Sequence, residues 1–270
     1  MSEVHDWHCR DRVVNLDKPI IMGIVNVTPD SFSDGGSHAT VSEALAFARQ
    51  LAHEGADILD IGGESTRLGS APLDPREEQK RILPVVKALV GEGYTVSVDT
   101  YHPETMRAVL DLGAHIINDV KGFTQDGAVD AVRGSDAGLV IMHFEAVRPG
   151  HLFQDIEAFL EQQSQLLLAA GVPARTICWD PGFGFGFGKT MEENLTLLEH
   201  FEDFRCPNYP VLIGVSRKRM IGAMTGIADP AKRADGSVKA ALTAVKKGAH
   251  IVRVHDVAQT LAALKEVGLR

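Results

Sequence analysis

The most constraining feature of this sequence is one pattern that recurs along the whole chain: a short apolar run, a polar loop, then a helical pattern. The first apolar run is Ile20 to Val25; it is followed by Asn26 and a loop of small and polar residues ending at Gly36. Val41 to His53 then carries apolar residues at helical spacing. Continuous apolar runs of this kind are typical of parallel strands buried on both faces. The corresponding later runs lie at 57–63, 95–99, 115–120, 138–143, 176–180, 210–216 and 251–255.

Eight strand–helix units with no linker or low-complexity tract between them predict a (β/α)8 TIM barrel that occupies residues 1–270 as a single domain. The length of 270 residues suits that fold, for which about 250 is typical. A hydrophobic content of 44% can supply its core.

Charge and cysteine content limit the partners and the compartment. A net charge of −9 argues against nucleic acid and against an anionic membrane surface. The polar first 18 residues lack a signal-peptide pattern, no apolar run could span a bilayer, and the three cysteines lie far apart. We therefore expect a soluble cytoplasmic protein with a mobile N-terminus, in which His5, His8 and Cys9 do not form a metal site.

In this fold the active site lies at the carboxyl ends of the strands, so each strand should end in a residue able to do chemistry. Side-chain alternation places Ser97 with Asp99, Ile116 with Asn118, Cys178 with Asp180, and Arg253 with His255 on common faces. The strand ends carry Asn26, Glu64, Thr66, Arg67, Asp99, Asn118, Asp119, His143, Asp180, Ser216, Lys218, Arg253 and His255. Any one of these could be a cap or a satisfied core polar group, but the full set indicates a site.

The same segments resemble the dihydropteroate synthase family. The resemblance runs from about Pro19 to Val257 and is carried by GIVNVTPDSFSDGG at 23–36, GADILDIGGESTR at 55–67, DPGFGFG at 180–186, SRK at 216–218 and RVHDV at 253–257. It implies a TIM-barrel homodimer that uses Mg²⁺, joins 6-hydroxymethyl-7,8-dihydropterin pyrophosphate to p-aminobenzoate in folate biosynthesis, releases pyrophosphate, and is a sulfonamide target.

Residue chemistry agrees with the pterin-binding role that the resemblance implies. A flat amino-pyrimidinone needs buried carboxylate acceptors, an amide and a donor for its carbonyl. Asp99, Asn118, Asp180 and Lys218 match that set. Because an isolated buried charge is costly, we expect Lys218 to lie near Asp180 or another acid.

The pyrophosphate needs cations, hydrogen-bond donors and a metal. Thr66, Arg67, Arg253 and His255 supply the first two, and Asn26 offers an oxygen ligand to Mg²⁺. The expected mechanism is a dissociative substitution, in which the departing pyrophosphate is stabilised before the p-aminobenzoate amine attacks the pterin methylene. The catalytic residues are then Asp99, Lys218, Arg253 and His255.

For p-aminobenzoate, the resemblance implies a subsite of Phe183, Phe185 and Phe187 around the ring, with Ser216 or neighbouring amides at the carboxylate. The family commonly reads Asp-Pro-Gly-Phe-Gly-Phe-Gly-Lys, whereas this chain has one further Phe-Gly pair before Lys189. Since the repeat is self-similar, the sequence does not show which pair was inserted. An added ring at the subsite is expected either to obstruct sulfonamides or to lengthen the loop neutrally.

Two other readings are compatible with the pocket residues. A pterin-binding methyltransferase barrel would share the carboxylates but has no need of Thr66, Arg67, Arg253 and His255 as a pyrophosphate clamp. A paralogue without catalytic activity would keep a pterin pocket as a binding module. Turnover with both substrates separates all three.

Overall fold

The computed structural model describes residues 4–27, 37–64, 72–184, 188–204, 206 and 208–270, with side chains of the first helix described from residue 41. Its strands are β1 Asp6–Cys9, β2 Arg12–Asn15, β3 Ile20–Asn26, β4 Ile58–Gly62, β5 Val96–Asp99, β6 Ile116–Asp119, β7 Gly138–Met142, β8 Ile177–Asp180, β9 Leu212–Ile213 and β10 Ile251–Val254. The helices are α1 Ser37–Glu54, α2 Pro75–Gly91, α3 Pro103–Asp111, α4 Ala128–Ala131, α5 Leu152–Ala169, α6 Met191–Glu199, α7 Arg219–Thr225, α8 Ala234–Lys246 and α9 Val257–Glu266.

Strands β3 to β10 form one parallel sheet in the order β8-β7-β6-β5-β4-β3-β10-β9. Its two edges meet where Trp179 of β8 bridges Val211 and the Trp179 amide donates to the Pro210 carbonyl at 2.9 Å. The predicted TIM barrel is thereby confirmed, and its least regular strand is β9. Strand β9 has only two residues, Leu212 and Ile213, and it lies between Pro210 and Gly214, which are both poor strand formers.

The barrel has two apolar cores because each strand is buried on both faces. The larger core lies between the strands and the surrounding helices and includes Ile21, Val25, Leu59, Ile61, Val98, Ile117 and Val252. The smaller one fills the barrel interior at the start of the strands and consists of Trp7, Cys9, Leu16, Ile20, Met22, Ile58, Ile116, Val140, Cys178, Leu212 and Ile251. This interior layer is the floor beneath the polar strand ends.

The expectation of a mobile N-terminus is wrong for the described residues. Strands β1 and β2 pair antiparallel, and their hairpin closes the bottom of the barrel. Trp7 and Cys9 are fully buried, and the Trp7 indole donates to the Thr176 carbonyl at 2.8 Å. Gly138 leaves room for them, since a Cβ there would lie 2.6 Å from the Cys9 sulfur. Four residues are too short a run for periodicity to reveal this plug.

The described helices offer no candidate for a membrane span, since none combines sufficient length with sufficient apolar character.

Candidate active site

A polar layer lies directly above the apolar floor of the barrel, two residues further along the strands. Side chains two positions apart on a strand point to the same face. The inward-facing floor residues Ile58, Ile116, Cys178 and Ile251 are therefore followed on the same face by Asp60, Asn118, Asp180 and Arg253. Asp60 is fully buried, Asn118 and Asp180 are 3% and 5% exposed, and Asp99 of β5 is 8% exposed. The predicted pterin residues therefore do come together at the carboxyl ends of the strands.

Arg253 joins the acids of this layer. Its Nε donates to Oδ2 of Asp60 at 2.5 Å, and its Nη2 donates to Oδ2 of Asp99 at 2.6 Å. Burial alone would lower the pKa of Arg253, but the two carboxylates raise it above its ordinary value. Burial raises the pKa of Asp99, against the opposing charge of Arg253. The guanidinium is thus charged and held in one orientation by two different strands.

Asp60 is a site residue that sequence reasoning missed. It also accepts a hydrogen bond from Nδ2 of Asn118 at 3.3 Å, while its buried Oδ1 has no partner among the described residues. The available signal was a carboxylate two positions after Ile58, in the middle of an otherwise apolar strand. A buried acid in such a place needs a cation or a ligand.

Asp180 and Lys218 belong to the same polar layer. Asp180 Oδ1 accepts from the Gly182 amide at 2.8 Å, and Lys218 Nζ donates to the Phe183 carbonyl. Burial lowers the pKa of Lys218 to about 8, and Asp180 opposes that change by favouring the ammonium. Burial likewise raises the pKa of Asp180, and Lys218 opposes it. The predicted proximity of Lys218 to Asp180 is confirmed.

Gly214 brings Lys218 and Arg253 together. It follows β9, and a Cβ at this position would lie 3.9 Å from Lys218 Nζ and 4.0 Å from Arg253 Cβ and Cδ. The two cations therefore share one side of the pocket, next to the carboxylates of Asp60 and Asp99. Cations grouped in this way can accept an anionic leaving group.

The prediction for Phe183 is wrong, because its side chain belongs to the outer core. It is fully buried, and its ring stacks on that of Phe201 at a centroid distance of 6.3 Å. Because the Phe-Gly pairs are identical in sequence, the sequence could not show which phenylalanine packs into the core. Phe185 and Phe187 lie outside the described residues.

Ser216 is engaged with His255 across the ends of β9 and β10. Its Oγ accepts from the His255 amide at 3.2 Å and lies 3.0 Å from Nδ1 of the same residue. Ser216 is buried, and His255 is half-buried at the mouth of the barrel. The hydroxyl predicted to receive p-aminobenzoate thus orients the histidine predicted to meet the pyrophosphate.

Asn26 ends β3 on the inner side of the mouth. It pairs with Gly62, and a Cβ at Gly62 would lie 3.9 Å from Asn26 Oδ1 and 3.8 Å from Asp99 Oδ2. The amide oxygen and the Asp99 carboxylate therefore border the same small space. Thr66 and Arg67, predicted to bind the pyrophosphate, lie outside the described residues.

Comparison with known proteins agrees with this geometry. The family model described as pterin binding enzyme matches residues 22–255. The dihydropteroate synthase of Neisseria meningitidis serogroup B is 45% identical over 273 residues, which cover 97% of this chain and 96% of that protein. The chain belongs to the dihydropteroate synthase family.

Solved structures of this family have the same fold. The Xanthomonas albilineans dihydropteroate synthase with 4-aminobenzoic acid superposes with a TM-score of 0.91 at 45% identity, covering 98% of this chain and 97% of that one. The Burkholderia cenocepacia dihydropteroate synthase complexed with 7,8-dihydropteroate gives a TM-score of 0.89 at 43% identity, covering 97% and 95%. The family resemblance drawn from the motifs is confirmed.

Beside the central layer, a second polar cluster supports the end of β4 in this dihydropteroate synthase family member. Glu64 accepts from the Tyr101 hydroxyl at 2.8 Å and lies 3.2 Å from His102 Nε2, while Glu78 accepts from the Thr100 hydroxyl at 2.9 Å. The ligand atoms of Glu64, Glu78 and His102 fall within 4.8 Å of one another. Hydrogen bonds within the cluster satisfy these groups and fix Glu64 just beyond the end of β4.

His143, one of the predicted strand-end residues, forms a buried pair with Lys189, a partner that sequence reasoning missed. Lys189 is 3% exposed, and its Nζ lies 2.7 Å from Nδ1 of the buried His143. Burial lowers the pKa of Lys189 to about 7 and, together with Lys189, lowers that of His143 to about 3. The His143 imidazole is therefore neutral near pH 7, and its Nδ1 can accept a hydrogen bond from the Lys189 amine.

Glycines and Asn194 hold the two ends of the loop after β8. A Cβ on Gly182 would lie 1.8 Å from the His143 carbonyl oxygen, and Gly188, at φ +72°, leaves no room for a Cβ beside the Glu145 backbone. Asn194 of α6 accepts from the Gly184 amide at 2.7 Å and donates to the Thr190 carbonyl at 2.7 Å. The described residues on either side of 185–187 are therefore held by close packing and hydrogen bonds.

Proposed function

We propose that this chain condenses 6-hydroxymethyl-7,8-dihydropterin pyrophosphate with p-aminobenzoate to give 7,8-dihydropteroate and pyrophosphate. The observation that carries this proposal is the buried layer of Asp60, Asp99, Asn118 and Asp180 with Arg253 beside it. Buried carboxylate and amide oxygens can accept hydrogen bonds from the amino edge of a pterin, and the adjoining cations can bind a pyrophosphate.

The pterin is expected to lie flat in the mouth of the barrel. Asp180 and Asp99 accept hydrogen bonds from its ring N–H and amino groups, Asn118 pairs with an amide-like edge, and Lys218 donates to its carbonyl. Burial strengthens each of these bonds, because water does not compete for them. A molecule lacking the donors would leave the carboxylates unpaired and would be rejected.

Departure of pyrophosphate is the step for which the cations are arranged. Arg253 is held by Asp60 and Asp99, and His255 is oriented by Ser216. Preorganised donors of this kind stabilise charge that develops on the leaving oxygen without having to reorient. Thr66 and Arg67 are proposed to complete the anion site. The amine of p-aminobenzoate then attacks the cationic methylene.

Mg²⁺ is the proposed cofactor, and the described residues fit it. Asn26 Oδ1 is a hard oxygen ligand beside the Asp99 carboxylate, and Asp60 Oδ1 is a buried oxygen without a described partner. Asn26 would hold the ion together with pyrophosphate oxygens and water. When bound, Mg²⁺ neutralises charge on the leaving group.

Turnover is the decisive experiment. Purified protein is incubated with both substrates, with and without EDTA, and dihydropteroate is quantified by chromatography; we expect product only when Mg²⁺ is present. Methyl transfer without condensation would favour a pterin-binding methyltransferase, and pterin binding without either reaction would favour a binding paralogue. Full activity in metal-free buffer would remove Asn26 from its proposed role.

The pocket assignment has its own test. Asp99→Asn and Asp180→Asn should each weaken pterin binding by about 1–3 kcal/mol, because a buried donor loses its charged acceptor. Calorimetry with the pterin substrate measures this effect. Unchanged affinity in both variants would refute the assignment.

A homodimer in the cytoplasm remains the proposed physiological form, on the strength of the family resemblance. Light scattering on the purified chain tests the dimer, and fractionation of cells producing it tests the compartment.

A further inference from the structure

Arg233 is a buried arginine outside the proposed reaction. It lies at the start of α8 and is 7% exposed. Its guanidinium donates to four main-chain carbonyls: Arg217 at 3.0 Å, Lys218 at 3.3 Å, Ile227 at 2.9 Å and Ala228 at 2.5 Å. Burying a cation among carbonyls is costly unless the donors are well placed. The planar fork of Arg can join two chain segments in a way that a single ammonium cannot.

The segments that Arg233 joins are the two ends of α7. One end is the turn 216–218, which carries Ser216 and Lys218 into the candidate site. The other end, Ile227 and Ala228, follows the C-terminal Gly226 of the helix. The guanidinium therefore fixes where α7 begins with respect to where it ends, and Lys218 is the residue immediately before its first turn.

The turn itself needs such support. Arg217 has φ +58°, a conformation that costs a non-glycine residue free energy and persists only when neighbours impose it. Its amide donates to Ser237 Oγ at 2.8 Å, and its guanidinium pairs with Asp256. Arg233 donates to the Arg217 carbonyl, so the backbone N–H and C=O of Arg217 are bound by Ser237 of α8 and by Arg233, the residue just before that helix.

Gly222 of α7 leaves the space that the Arg233 head occupies. A Cβ on Gly222 would lie 2.7 Å from Nη2, 2.8 Å from Cζ and 2.9 Å from Nε of Arg233. A free arginine would move aside at little cost, but this one cannot move without losing bonds to four carbonyls. Gly222 and Arg233 therefore form one unit.

We propose that Arg233, seated over Gly222, is a positioning residue that holds the 216–218 turn and thereby places the Lys218 amine in the pocket. This inference rests on the proposed synthase reaction, since the effect is read in its rate. It assigns no contact with substrate to Arg233.

Gly222→Ala is the sharpest test, because alanine favours a helix and the added methyl group displaces the Arg233 guanidinium without removing any polar group. We expect kcat/KM to fall about tenfold or more in a variant that stays folded by circular dichroism under the assay conditions, while its urea midpoint falls because the displaced guanidinium loses bonds to buried carbonyls. Gly91→Ala, at a helix position with no atom within 4 Å of the new Cβ, is the matched control and should leave activity unchanged. If Gly222→Ala is as active as Gly91→Ala, the inference is wrong.

Arg233→Lys tests the same unit from the other side. It should also lower kcat/KM about tenfold, whereas Arg10→Lys should not, although Arg10 likewise donates to two carbonyls, those of Leu110 and Ala114. In the double variant Gly222→Ala with Arg233→Lys, the loss should not exceed that of the more affected single variant. Losses that multiply would show independent, merely structural effects and would overturn the proposal.

The two proposals fail differently. An inactive wild type refutes the proposed reaction, whereas an active wild type with fully active folded variants refutes only the role of Arg233.

Discussion

Replacing Arg253 by methionine would remove the only charge that both Asp60 and Asp99 are seen to contact among the described residues. Asp60 is fully buried, and the Arg253 side chain is only 18% exposed, so water cannot replace the lost partner. Removing one member of a buried ion pair costs about 3–5 kcal/mol, because the other charge is left uncompensated. We expect Arg253→Met to lower the free energy of unfolding by that amount near pH 7 and to abolish turnover.

The same variant should show a defined pH dependence. Burial raises the pKa of Asp99 to about 7, and the Arg253 charge limits this rise, so the variant has a still higher Asp99 pKa. Well below pH 7 Asp99 is mostly protonated in both folded proteins. Above it, Asp99 ionises beside Arg253 in the wild type but not in the variant. The stability gap should therefore widen by up to about 1.4 kcal/mol per pH unit above pH 7.

Urea unfolding at pH 6.0, 7.0 and 8.5 measures this gap. Arg133→Met is the matched control: Arg133 pairs with Asp130 at 2.5 Å, the same distance as Arg253 to Asp60, but both partners are at least 60% exposed. Exposed pairs contribute below about 1 kcal/mol. The reasoning is refuted if Arg253→Met is no more destabilising than Arg133→Met, or if its effect is the same at all three pH values.

Three further predictions concern other regions. Lys189 has a pKa of about 7 when folded against about 10.4 when unfolded, so the unfolded state binds more protons above pH 7. Lys189→Met should therefore remove a rise in stability of up to about 1.4 kcal/mol per pH unit between pH 8 and 10; equal slopes in the urea data would contradict this. Trp7→Ala should lower the free energy of unfolding by about 3–5 kcal/mol, because it opens a cavity in the barrel floor. The control is Val13→Ala at an exposed position, and a smaller loss for Trp7→Ala than for this control would refute the structural role of the N-terminal hairpin. Deleting residues 187 and 188 leaves Gly186 to take the left-handed position before Lys189, and should lower the sulfonamide inhibition constant relative to the p-aminobenzoate Michaelis constant about tenfold, or about 1.4 kcal/mol. An active deletion variant with an unchanged ratio would favour a neutral insertion.

Local chemistry in the sequence was sufficient for the barrel and for most of its pocket. Buried parallel strands need continuous apolar runs, and strand alternation places every second side chain inward, so Asp99, Asn118, Asp180 and Arg253 could be assigned to one layer before any coordinates. The long Asn, Asp and Gly motifs at the strand ends then identified the family. These features are readable because each depends on a few consecutive residues.

Tertiary structure decided what depends on contacts between distant segments. Asp60 became a site residue only because Arg253 reaches it from a strand 193 positions away, and Phe183 became a core residue because Phe201 packs on it. The N-terminal hairpin is ordered because the barrel interior buries Trp7. Arg233 gains its role from carbonyls at both ends of α7. In each case the residue type is compatible with several environments, and packing free energy against residues far along the chain selects one of them.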